Sequence, residues 1–183
     1  TLTFLAGARR QIFVAFAVFL LVDMHHFTIQ DITILFLANS VVSIVLSPAI
    51  GSLIQKFGER PIVILEYSGL ILVFFGYTIM EEKWALSLLY ILDHIFFNMS
   101  IAIKTYFQKI ADPADMAPST AVGFTINHIA AVVIPFIGGY VWMIDYRYTF
   151  YMGIGLAVCS LIFATFIDTS KMDISGAEVV KVS

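Results

Sequence analysis

Apolar residues run along this chain in long blocks, with short polar stretches between them. The blocks fall near 3–23, 32–54, 62–80, 84–104, 120–143 and 149–167. Each holds about 20 residues, the length a helix needs to cross a ~30 Å hydrocarbon layer. The pattern predicts an all-α membrane protein with six transmembrane helices over 1–168 and a short tail over 169–183. The second and third blocks are joined by Gly51-Ser-Leu-Ile-Gln-Lys-Phe-Gly-Glu-Arg60-Pro61, read as a tight polar loop. Its glycines permit a sharp turn, and Pro61 suits the first turn of the following helix.

Composition sharpens this picture. Of 183 residues, 60% are hydrophobic and 13% are Asp, Glu, Lys or Arg, about half the charged share of a soluble domain. Mean hydropathy is +0.94. The net charge of −3 is silent on nucleic acid, and with no basic tract present no nucleic-acid partner is expected. One cysteine, Cys159, in an apolar run excludes a disulfide framework and a Cys-based metal site. His25-His26 lacks a third ligand at metal spacing, so no metal or cofactor is expected. Eight of the ten Lys and Arg (Arg9, Arg10, Lys56, Arg60, Lys104, Lys109, Lys171, Lys181) fall on one side of the alternating loops, and Lys83 and Arg147 on the other. The positive-inside rule then puts the Gly51–Pro61 loop and both ends in the cytoplasm. The chain opens at Thr1, already in apolar sequence, so further sequence upstream is expected.

Polar residues inside the blocks are the candidates for chemistry, because charge within a bilayer is costly and usually faces water or a partner. The second block carries a stripe of Asn39, Ser40, Ser43, Ser47 and Gly51, suited to close helix approach. In the fourth, Ser87, Tyr90, His94 and Asn98 share a face flanked by Asp93. The fifth has Thr120, Gly123 and Asn127 on one face with His128 beside it, and a bend is expected at Pro135-Phe-Ile-Gly138-Gly139. The third holds only Glu66, near its inner end; the sixth has no ionisable group except tyrosine and reads as lipid-facing. Arg9, Arg10 and Gln11 fall within the first if that helix starts before Thr1.

Gly51-x-Leu53-x-x-x-x-Gly58-x-Arg60 resembles the loop between the second and third helices of each half of the major facilitator superfamily. Pro135-x-x-Gly138-Gly139 resembles a Pro-Gly-Gly motif in the fifth helix of many antiporters of that superfamily. Gly138-Gly-x-x-Trp142 and Tyr146-Arg147-x-x-Phe150 are similar to the passage into a half's last helix. Gln55 and Glu59 depart from the loop pattern, and Asp93-His94 stands where the amino-terminal half has an arginine motif. The resemblance therefore points to the carboxy-terminal six-helix half, built of two inverted three-helix units. It implies that the third and sixth helices are peripheral and the others line a central cavity.

The resemblance implies a secondary transporter of a small solute, ion-coupled and working by alternating access with a second six-helix half. The membrane expected for it is a bacterial inner (plasma) membrane. The pathway candidates are Arg9, Arg10, Gln11, Asn39, Asp93, His94, Asn98, Asn127 and His128. Arg9 or Arg10 would bind an anionic group or counter a buried carboxylate. Asp93 with His94 or His128 is the proton-coupling candidate, since His titrates near neutrality. Gly51, Gly58 and Arg60 would form the cytoplasmic gating loop. The competing structural readings are topology anchors for the arginines, a helix-linking acceptor for Asp93, interhelical hydrogen bonds for the histidines and packing groups for the asparagines. The alternatives for the whole chain are a non-transporting six-helix subunit or an intramembrane enzyme. The enzyme is disfavoured because Ser68-Gly69 has no glycine elbow and lies near Glu66 rather than a histidine.

Overall fold

A computed structural model describes residues 2–166, which are helical almost throughout. The expected tail and the end of the sixth block lie outside the described residues. Helix α1 (Leu2–Ile12) continues through two π-type turns, Phe13–Ala17 and Leu20–Met24. It is followed by α2 (Ile29–Phe57), α3 (Glu59–Ile79), α4 (Lys83–Asn98), α5 (Ile101–Ile110), α6 (Pro113–Ile144) and α7 (Tyr146–Thr165). A one-turn break at Met99-Ser100 separates α4 from α5. Among the described residues, five runs are long and apolar enough to span a membrane: Ile29–Phe57, Glu59–Ile79, Lys83–Lys109, Ala114–Ile144 and Tyr146–Thr165. The amino-terminal helical stretch is not among them.

Two expected loops are nearly absent. α2 runs to Phe57 and α3 starts at Glu59, so the supposed polar bridge shrinks to Gly58. Gly58 has φ +81°, a conformation that glycine adopts without a Cβ penalty. Gly51 lies inside α2 and Arg60 in the first turn of α3. The polar stretch between the fourth and fifth blocks, 105–119, is mostly helix as well. Asp112 accepts from the Ala114 amide at 2.9 Å, and Pro113 occupies a first-turn position where its missing N–H costs nothing. α6 then stays helical through Pro118 and Pro135. The starts of α2 and α7 are also capped. Thr28 and Asp31 form a reciprocal capping box on α2. Asp145 accepts from the Arg147 amide on α7 at 2.8 Å.

α3 is the best-buried spanning helix, with 61% of its apolar window covered. Within this chain it packs chiefly against α7 and α4. Gly69 and Gly76 remove the side chains that would hold α4 away, and Phe96 and Leu89 fill the gaps. α7 is covered on one face by Thr149, Phe150, Gly153, Ala157, Ser160 and Ala164, at helical spacing against α3 and α1. Its opposite side, with Tyr151, Val158 and Ile162, is exposed. One apolar cluster gathers Phe13, Phe16, Phe74, Tyr77, Leu86 and Phe150; a second gathers Ile54, Ile62, Val63, Tyr67, Ala102 and Ala164.

α2 and α6 are the least covered, each with 17% of its window buried. Ile34, Leu37, Val41 and Ile44 on α2, and Phe124, Val132 and Phe136 on α6, point outward. In the small-residue stripe of α2 only Asn39 is buried. Ser40 and Ser47 donate back to the carbonyls of Phe36 and Ser43, and nothing approaches Gly51. Among the described residues, the stripe meets another helix at Ser43, whose Oγ accepts from Asn98 on α4.

Candidate functional site

α1, α3 and α4 meet around Arg9. Its guanidinium donates to Glu66 Oε1 at 2.6 Å, with the two side chains 1% and 0% exposed. The Tyr67 ring lies 4.6 Å from the guanidinium carbon, adding a cation–π contact. Asp93 on α4 is 1% exposed, and neither carboxyl oxygen has a hydrogen-bond partner. Arg9 lies within electrostatic reach of it, as do Tyr77 on α3 and Tyr90 on α4. The Tyr77 hydroxyl is also buried and unpartnered.

These contacts follow from local sequence. Phe13 stacks between Tyr90 at 5.2 Å and His94 at 6.4 Å, which sets the register of the first helix against α4. Arg9, one turn before Phe13, then falls between α3 and α4, and its neighbour Arg10 falls outside. Gly69 admits Phe96, which draws α3 close enough for Glu66 to reach Arg9. The π-type turns of the first helix begin one residue beyond Ile12, and such turns often accompany functional sites.

Burial makes the charge count decisive. One guanidinium and two carboxyls share a volume closed to water. Leaving a lone ion in such surroundings costs several kcal/mol, and buried carboxyl oxygens without partners are rare in folded proteins.

The other predicted site residues form a more open wall. Arg10 is exposed, with its guanidinium carbon 5.2 Å from the Phe97 ring centre, and no carboxylate pairs with it among the described residues. His94 and Asn98 are half-buried on the same side of α4. Asn98 donates to Ser43 Oγ at 2.8 Å, tying α4 to α2. Gln11 is half-buried beside Arg10, and Asn39 is buried with its Oδ1 unpartnered. On α6, Asn127 packs on Gly7 and stays exposed. His128 is exposed, and its Nδ1–H donates to the Phe124 carbonyl at 2.9 Å.

The expected pairing of Asp93 with a histidine is therefore not what the fold arranges. Asp93 turns inward, while His94, one residue on, turns about 100° away around the helix to meet Phe13 and Arg10. His128 is engaged by its own helix. Sequence reasoning missed Glu66 as a site residue. Its signal was an ionisable side chain in an otherwise apolar block, discounted because it lies near the block's end.

At the start of α3, Lys109 Nζ lies 2.6 Å from Glu59 Oε1; Glu59 is 1% exposed and Lys109 46%. Arg60 is half-buried beside them, and Gly51 stands open one helix away. Of the bend motif, Pro135 and Gly139 are half-buried within α6, whereas Gly138 is covered by Phe16 and its carbonyl accepts from Thr149 Oγ1 at 3.2 Å. A Cβ on Gly138 would lie 2.5 Å from the Phe16 ring, so this glycine serves close packing.

No curated protein matches the chain. The sequence model of the Major Facilitator Superfamily does, over residues 1–178. Members of that family are transporters of small solutes rather than enzymes. With its long apolar helices and its charged groups enclosed among them, the chain is an integral, multi-pass membrane protein and belongs to the Major Facilitator Superfamily.

Proposed function

We propose that this chain is the carboxy-terminal six-helix half of a proton-coupled secondary transporter, working by alternating access with a second six-helix half. The observation that carries the coupling is Asp93: a carboxyl closed to water, without a hydrogen-bond partner, beside an arginine already held by Glu66. A group so placed exchanges its proton only when the surrounding helices move, which is what coupling requires. The outward apolar faces of α2 and α6 are the surfaces for the other half, and a polar wall between two halves is where a solute would sit. The amino-terminal stretch is the remaining span, both ends are cytoplasmic, and the membrane is a bacterial plasma membrane.

The two arginines then divide the roles left open by the sequence. Arg9 counters buried carboxyls. Arg10, exposed over Phe97 near His94 and Asn98, receives an anionic part of the solute. The test is uptake of labelled organic anions by the intact protein in liposomes, with and without an imposed proton gradient. Gradient-driven uptake that Asp93→Asn abolishes, with counterflow exchange spared, supports the proposal. Unchanged driven uptake in that variant removes Asp93 from the mechanism.

A further inference from the structure

Gly69 faces Phe96 and Gly76 faces Leu89 where α3 and α4 run antiparallel. By that register Glu66 stands level with Met99, and Asp93 with Leu72. The two carboxyls are thus about six residues apart along the axis, roughly 9 Å at ~1.5 Å per residue. Arg9 bonds one and lies within electrostatic reach of the other. Among the described residues no further cation faces the pair: Asp93 is met by Arg9, Tyr77 and Tyr90, and Glu66 by Arg9 and Tyr67.

Resting on the coupling role proposed for Asp93, we infer that Asp93 and Glu66 are two stations for a single proton, and that Arg9 selects between them by pairing with whichever carboxylate lacks it. In the arrangement described, Arg9 holds ionised Glu66, so the proton resides on Asp93. When Arg9 swings to Asp93, the Asp93 proton leaves and Glu66 takes one up. Each state has one guanidinium, one carboxylate and one neutral carboxyl, so the enclosed charge stays at zero. Glu66 lies towards the start of α3, the end that the basic loops mark as cytoplasmic, so the exchange moves the proton towards that side. Tyr67 beside Glu66, and Tyr77 and Tyr90 beside Asp93, are neutral donors that can follow either state.

Infrared titration of the carboxyl C=O stretch tests this without any solute, on the intact protein in liposomes near neutral pH. The wild type should show one buried protonated carboxyl. Asp93→Asn should abolish the signal. Glu66→Gln should abolish it too, since Arg9 is released to ionise Asp93. Arg9→Gln should double it. The paired variant Arg9→Gln/Glu66→Gln should restore one carboxyl, which also shows that loss in the single variant is not misfolding. A wild-type signal in Glu66→Gln, or no gain in Arg9→Gln, overturns the relay. If the pattern holds while solute uptake ignores the proton gradient, the shared proton stands and the coupling reading falls. If the pattern fails while uptake remains gradient-driven, the relay falls and the coupling stands.

Discussion

Lys109, at the end of α5, closes on Glu59, at the start of α3, with 2.6 Å between Nζ and Oε1. The lysine is half open to solvent, whereas the glutamate is enclosed. The pair therefore staples the fourth helical run to the third at one end of the bundle. Removing the lysine leaves a buried carboxylate without its counter-ion, at a cost of about 1–3 kcal/mol. Lys109→Gln should lower the melting temperature of the purified protein in detergent, and Lys109→Glu should lower it further. The exchange Glu59→Lys/Lys109→Glu should recover part of the loss. Equal melting of wild type and Lys109→Glu would show that the contact holds nothing together.

Gly69 and Gly51 should respond to alanine in opposite ways. A Cβ at Gly69 collides with the Phe96 ring, whereas nothing lies within 4 Å of one at Gly51. Gly69→Ala forces the ring off its place at about 1–3 kcal/mol, and Phe96→Leu should relieve it. Gly51→Ala within α2 should be neutral or stabilising by up to about 1 kcal/mol, through helix propensity. Thermal melting of the three variants decides this. Transport lost in Gly51→Ala with melting unchanged would mean that this surface closes against another part of the transporter.

Gly58 is the whole connection between α2 and α3 and has φ +81°. Alanine there is strained by about 1–3 kcal/mol even though space surrounds it. Gly58→Ala should reduce melting temperature and expression more than Gly51→Ala does. The reverse order would refute the backbone argument.

Arg10 is exposed and bears on an aromatic face, so Arg10→Gln should leave melting nearly unchanged. If it binds an anionic solute, the same change should raise KM by about tenfold or more, in line with losing a charge-assisted hydrogen bond, with a smaller effect on kcat. Uptake kinetics in liposomes check this. An unaltered KM returns Arg10 to the role of a topology anchor.

Much of the architecture was legible along the chain. Block length and apolarity specify spanning helices whatever the tertiary packing, because an unpaired backbone amide in hydrocarbon is too costly for any other structure. The resemblance at Gly51–Arg60 and Pro135–Gly139 led to the family whose sequence model matches residues 1–178. Loop lengths were less legible. Lys56, Glu59 and Arg60 read as a polar loop, yet charged residues also terminate helices at a membrane surface, and here helix continues up to Gly58 from both sides.

The site divided in the same way. Ionisable residues in apolar blocks mark themselves in a sequence, so Arg9, Arg10, Asp93 and Glu66 were all visible. Which of them meet was not, because each pairing joins different helices: Arg9 and Glu66 are 57 positions apart. Helix rotation decides such contacts. One residue changes direction by about 100°, enough to bury Arg9 and expose Arg10, and to enclose Asp93 while His94 turns aside. Those rotations are settled by Gly69 admitting Phe96 and by Phe13 stacking on Tyr90. Packing of that kind is decided between helices and leaves no periodic mark within any one of them.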